Sequence, residues 1–475
     1  MQIAQPAVDP TAARTLSVPS EDQLLIALVD RVTNGYSSQE LNLARQLGYE
    51  GYLEYHLAPE QIDDSELDAQ LAGFGSLPLS AAQLYAAYGE ISPVPLLELR
   101  QARVLRSAFS KRQLFERMVE LFTDHFNVYH LAGLCTLFKT VDDREVIRPH
   151  ALGRFPDMLV ASARSAAMSV YLDNYANTVL GAQENYAREL MELHTLGVDG
   201  GYTEDDVKNV ARAFTGWGFE SQPGPSFGEF KFTWLLHDQG EKTVLGVQLP
   251  AFGGLNDGVQ VLTILASHDS TARTVAGKIC RWFLGYDVPA SIVERVTKVY
   301  HATGGDLREM VRSTLRRENL MRVEPWKAPK LKRPQHFASS LLRASGMQVQ
   351  SAFLMTDGLQ RMGHMPYDWA PPNGYPDSLG AWGSSVLPRW EFASNLLAGV
   401  YLGSTFDPDE FLLSVGNPPK SQLAAAIDER LTGGRSPAVE VALVQRYLDQ
   451  FALLTGFLVR EAVALAASMP RFQLY

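Results

Sequence analysis

The chain has 475 residues, more than a single hydrophobic core usually serves, so subdomains within one body are expected. Hydrophobic residues make up 46 % and charged residues 20 %, an ordinary globular balance, and no run of apolar residues is long enough for a transmembrane helix. The net charge of −11 argues against a nucleic-acid binder, and the two cysteines, Cys135 and Cys280, lie inside apolar segments with neither a disulfide framework nor a zinc-knuckle spacing.

Residues 1–18, rich in Ala, Pro and Thr, are expected to form a disordered tail. They lack the basic and apolar regions of a leader, so the chain reads as cytoplasmic as written, or as exported if a leader has been removed. Ser20 is placed to cap a first helix, with Glu21 and Asp22 in its first turn and Leu24, Leu25, Leu28 and Val29 as its apolar stripe. A break is expected at Gly48 and another around Pro93 and Pro95. Lys111 to Asn127 is amphipathic, with Leu114, Met118, Leu121 and Phe122 on one face and His125 near its end.

The densest chemistry lies in residues 184–218. On a helical wheel of about 100° per residue, Glu184, Asn185, Arg188, Glu189, Glu192 and Thr195 share one face. Tyr186, Ala187, Leu190, Met191 and Leu193 share the other, and His194 falls on that apolar side. The acids and Arg188 at i,i+4 spacing are the dress of a solvated helix, but Asn is a poor helix former and Asn185 wants a reason. Gly197 fits a left-handed helix end, and Thr203 with Asp206 forms a capping box for a second helix that ends at Trp217. Beyond it, Phe230, Phe232 and Trp234 alternate with polar residues. A β-hairpin is therefore expected near 227–249, pairing 230–236 with 244–249 and carrying His237, Asp238 and Lys242 at its exposed tip.

Helices are expected over 256–266 and 271–284, where Lys278 faces the same side as Arg281 and Thr274, with His268 in the link between them. The run KAPKLKRPQ (327–335) reads as a solvated basic loop. Residues 365–385 form a long Pro- and Gly-rich loop holding Trp369, Tyr375 and Trp382, either a lid or platform for a substrate or a lining of the helical body. The fold expected is mainly α: a multi-helical globular body over 19–398 with the small inserted β-hairpin, and C-terminal helices over 399–475 packed on the same body.

ENYARELMELHTLG followed by GYTEDDV and ARAFTGW resembles the signature of a large bacterial family, domain of unknown function 1800 (DUF1800). RMVELFTDHFNV (117–128), RPHALGRFPDMLVASARSAAMSVYLDN (148–174), HDQGEKTVLG (237–246), SHDSTARTVAGKICRWFLG (267–285) and GDLREMVRSTLRRENL (305–320) also resemble it, so the likeness spans roughly residues 24–398. Relatives commonly show Trp-His-Asn-His-Phe where this chain has Phe122, Thr123, Asp124, His125 and Phe126, one histidine fewer. The resemblance implies no settled activity. It does imply relatives that are often exported and genes that often neighbour those of sulfatase-like proteins of the alkaline-phosphatase superfamily.

No HExxH, CxxC, GxSxG, P-loop or dinucleotide fingerprint stands in a supporting context. What remains is acid–base work by Glu and His, with Arg or Lys holding an anion. The candidate catalytic residues are Glu184, Arg188, Glu189, His237 and Asp238, and the candidate substrate contacts are Asn185, Lys242 and Trp217. His125 and His268 are candidates for a divalent metal. Three readings stand: a hydrolase or transferase acting on a polar anionic group, a non-catalytic helical binding or scaffold protein, and a partner of a sulfatase-like enzyme. Convergence of the polar helix face with the remote histidines is the expectation shared by the candidate site.

Overall fold

The computed structural model describes residues 19–475, so the expected disordered tail lies outside the described residues. The chain forms helices joined by short loops, with three small two-stranded antiparallel sheets among the described residues. Local signals set the helix ends where the sequence places them. Ser20 Oγ accepts from the Gln23 amide at 3.2 Å and the Gln23 side chain accepts from the Ser20 amide at 2.9 Å. This capping box starts the helix Glu21–Val32, whose stripe is buried. The helix Ser38–Leu57 kinks at Gly48, whose φ of 70° suits glycine.

Two main cores hold the body together. The larger gathers side chains from Leu24 to Leu320, and the second gathers the inner side of the helix Val94–Phe109 with side chains from Phe337 to Phe472. The last helices therefore share their core with those that begin at the helix Pro334–Ser345. Charged side chains lie along the seam between the cores. Arg103, Arg117, Glu120 and Arg333 are each buried, and Glu120 lies 3.5–3.7 Å from all three guanidinium groups. Burial of so many ions is unfavourable unless they compensate one another, so this seam is held by charge as well as by shape.

The strands differ from expectation. Phe230–Phe232 pairs with Trp217–Phe219, and Lys242–Val244 pairs with Val247–Leu249. The single expected hairpin is thus two, and Trp234–Leu236 turns as a 3₁₀ segment between them. Period-two alternation shows that a segment is extended but not which segment it joins, and Trp217 ends a helix–loop unit that brings its own strand alongside.

The organising helix also departs from the wheel. Only Asn185–Glu189 is α-helical, and Leu190–Thr195 is a π-helix. The Leu196 amide bonds the Met191 carbonyl at 2.8 Å, an i to i−5 bond. One extra residue in the turn rotates every later side chain by about 100° relative to a regular helix. Thr195 therefore leaves the polar face. It is buried, and its hydroxyl donates to the Leu190 carbonyl at 2.6 Å. The second helix, Glu204–Ala213, starts at Thr203 with Asp206 completing its capping box.

Candidate functional site

The polar face of the first signature helix looks outward. Arg188 donates to Glu204 at 2.9 and 2.8 Å and to Glu184 at 3.1 Å, all at partly or fully exposed positions. Such surface pairs contribute at most about 1 kcal/mol. Asn185 opens the α-helix instead of sitting inside it, which accounts for its presence, and it is exposed. Glu189 is half-buried. Burial, then the neighbouring Glu192, raises its carboxyl above the usual range.

The residues expected at an exposed hairpin tip are instead interior. His237 and Lys242 are each 2 % exposed. Lys242 Nζ donates to the Asp238 carbonyl at 2.6 Å, the Gly240 carbonyl at 2.9 Å and Asp257 Oδ2 at 2.7 Å, so all three ammonium protons are engaged. His237 Nδ1 lies 2.8 Å from the Thr215 carbonyl and 3.2 Å from the Thr215 hydroxyl, and Nε2 lies 3.2 Å from Asp257 Oδ2. Asp238 takes a two-pronged bond from Arg212 at 2.8 and 3.1 Å. Trp217 is buried against Gly258, where a Cβ would stand 2.5 Å from the indole ring, so it is a core residue and not an open substrate contact. The expected tip is thus a closed knot joining the second signature helix, the hairpin Lys242–Leu249 and the helix Leu255–Ser267.

The structure does not bring His125 and His268 together. His268 caps the helix Asp269–Phe283, its Nδ1 accepting from the Ser270 amide at 3.1 Å. His125 meets the same helix at Lys278, ten residues on, or about 15 Å along the axis. Among the described residues no group of three or more His, Cys, Asp or Glu side chains is arranged to hold a metal. The donor set around His125 does not fit one either, because its second nitrogen faces an ammonium.

That contact is the centre where the signature segments do converge. His125 Nε2 lies 3.0 Å from the His194 carbonyl, which can only accept, so the proton sits on Nε2. His125 Nδ1 then accepts from Lys278 Nζ at 2.7 Å, and Lys278 also donates to the Leu193 carbonyl at 3.1 Å. The π-turn supplies both carbonyls, and Thr274 Oγ1 takes the Leu196 carbonyl at 3.1 Å. Burial pushes the Lys278 ammonium down to about 8, with Asp124 pulling the other way. Burial, then Lys278, also pushes His125 well below its ordinary value, which keeps the ring neutral. Leu121, Phe122, Val275 and Ile279 wall the pair in a narrow apolar crevice.

Residues 365–385 lie across the two elements that carry this pair. Asn127, two residues beyond His125, donates to the Trp369 and Pro371 carbonyls, each at 2.8 Å. Arg281, one turn beyond Lys278, donates to the Asp377 carbonyl at 3.2 and 3.0 Å. Gly374, at φ 70°, lets the loop lie on the Asp124 carbonyl, where a Cβ would come within 2.1 Å. The loop aromatics pack inward: Tyr375 and Trp382 lie against His364 with ring centroids 4.4 and 5.1 Å away. The basic run is not solvated as expected, since Lys330, Lys332 and Arg333 are all buried. Lys278 is the residue that reading for motifs undervalues. Its signal is the single lysine of the helix Asp269–Phe283, standing between Val275 and Ile279.

No curated protein and no solved structure matches the chain. The family profile described as Protein of unknown function (DUF1800) matches residues 27–474, nearly the whole chain, and the chain belongs to that family.

Proposed function

We propose that the chain is an acid–base enzyme, a hydrolase or transferase acting on a polar anionic group, with Lys278 as its proton acceptor. One observation carries this reading: Lys278 Nζ lies 2.7 Å from a neutral His125 where three signature segments meet. A lysine held near neutrality in an apolar crevice is the form that serves as a general base or amine nucleophile. His125, locked by the His194 carbonyl, keeps its Nδ1 lone pair on that amine. Glu189, with its raised carboxyl, is the candidate acid of the outer face. The loop 365–385 acts as the lid, and Arg281 beneath it is the candidate anion contact.

An amine-labelling profile tests the reading. Lys278 should label half-maximally near pH 8, against about 10.4 for ordinary lysines. In a screen of aryl phosphate, sulfate and acyl esters, Lys278→Met should lose about 10²-fold or more of any turnover. Lys278→Arg keeps the cation and its donors but cannot shed the proton, so it should fold yet stay inactive. Labelling of Lys278 no faster than that of surface lysines refutes the proposal.

A second reading, a binding protein without catalysis, is favoured by an open apolar groove of about 780 Å³ lined by Trp390, Leu397, Tyr447, Phe457 and Leu465. Its proposed occupant is a sulfatase-like partner. Binding of such a partner that persists in Lys278→Met and is lost in Phe457→Glu would favour it.

A further inference from the structure

A second cavity lies apart from Lys278, just ahead of the buried basic run, with Pro325 and Trp326 on one wall. Between the helix Glu21–Val32, residues Pro325 and Trp326, and the C-terminal segment lies a cavity of about 290 Å³. Arg31, Arg435 and Arg471 line it together with Asp22, Asp30, Trp326 and Tyr475. Asp30 is hydrogen-bonded by Arg435 and Asp22 by Arg45. Asp30 acts on Arg31 and Arg471 only through space, as Asp428 and Glu440 do on Arg471. Arg31 is 1 % exposed; its guanidinium lies 4.6 Å from the centre of the Tyr475 ring, and only its Nη1 is bonded, to a main-chain carboxylate oxygen of Tyr475 at 3.0 Å. Its Nε and Nη2 meet no acceptor among the described residues, and neither does Arg471 Nε. Buried guanidinium N–H groups without acceptors are unfavourable by more than a neutral group would be, and an anion is the group that relieves them.

We infer that this cavity binds a small oxyanion-bearing ligand, with Arg31 and Arg471 as the partners of the anion. The volume, at the lower end for ligand sites, suits a phosphate, sulfate or carboxylate on a small body, for which Trp326 offers an apolar wall. Lys332 couples the site to protons. Its ammonium lies 4.0 Å from the centre of the Phe472 ring. Burial lowers it to about 7 against the pull of Asp30, and Arg435, Arg471 and Arg389 lower it further. His336 lies within electrostatic reach of the same ammonium and is itself held neutral by burial. An anion placed among these cations favours the charged form of Lys332, so binding takes up a proton.

Calorimetric titration of the full chain with inorganic phosphate, sulfate and acetate in turn tests the site and ranks the three oxyanions. At least one should bind, and Arg31→Gln and Arg471→Gln should each weaken it by about tenfold or more. Arg471 is partly exposed, so its variant decides the matter if Arg31→Gln fails to fold. At pH 8, titrations in two buffers of different ionisation enthalpy should show uptake approaching one proton per anion, and Lys332→Met should abolish that uptake. The inference is overturned if none of the three anions binds at about 10 mM, well beyond the weakest useful affinity. It is equally overturned if the folded variants bind as the natural chain does.

Discussion

Replacing Lys242 by methionine probes the knot at the former hairpin tip. The Lys242 and Asp257 side chains are 0 % and 1 % exposed with Nζ 2.7 Å from Oδ2, and Asp257 Oδ1 has no hydrogen-bond partner among the described residues. Lys242→Met leaves a buried carboxylate with only His237 beside it and removes the donor from the Asp238 and Gly240 carbonyls. Breaking one side of a buried pair costs about 3–5 kcal/mol, a large share of the roughly 5–15 kcal/mol that holds a folded protein. Asp257→Asn strands the ammonium instead and should cost a similar amount. The double variant removes both charges and should lose clearly less than the sum of the two, leaving a coupling of about 1–3 kcal/mol. Guanidinium unfolding followed by circular dichroism measures each variant, with an unchanged denaturant slope as the control. If Lys242→Met costs under about 1 kcal/mol, or the two losses simply add, the pair is not the tie described.

Two other outcomes follow from buried groups. Burial raises the Glu40 carboxyl, but the His56 hydrogen bond, the Arg343 charge and the Tyr52 hydroxyl outweigh it and hold the group at about 2, below the ordinary 4.5. Because the folded value is the lower one, this stability is present above pH 4.5 and fades as pH falls towards 2; it amounts to about 3 kcal/mol. Acid unfolding of Glu40→Gln should be shallower over that window, and an unchanged acid limb would contradict the assignment. Asn127→Ala strips two carbonyls of the loop 365–385 of their donor, about 1–3 kcal/mol of local stability. Limited proteolysis should then cut within 365–385 faster, while cuts elsewhere keep their rate.

The parts of the fold read correctly were those fixed by neighbouring residues. The Ser20 cap, the Thr203–Asp206 capping box and the break at Gly48 are local devices, and each acts where its residues stand. The misread parts depend on distant partners. Nothing in LMELHT announces a π-turn, because the groups that take its freed carbonyls, His125 and Lys278, come from other segments. Lys330, Lys332 and Arg333 look like a solvated run because a charge pattern carries no record of Asp377, Asp30 and Asp124, which face them in the folded chain. His237 reads as a residue of an exposed tip but is interior, since its partner Asp257 lies on a helix that follows the hairpin. Of the expected site, the aligned acids stayed outside while one histidine, His125, reached a shared interior contact.

The π-turn at Leu190–Thr195 also constrains the spacing of residues in this stretch of the chain. Outward side chains such as Glu184 or Glu192 can change identity with little consequence, yet the count of residues between Tyr186 and Gly197 cannot change by even one. A deletion there would relax the widened turn into an ordinary one and swing the Leu193 and His194 carbonyls off Lys278 and His125 while every hydrophobic position still looked intact. In this chain an insertion or deletion in these dozen residues would therefore disturb the Lys278–His125 contact more than any single substitution on the helix face.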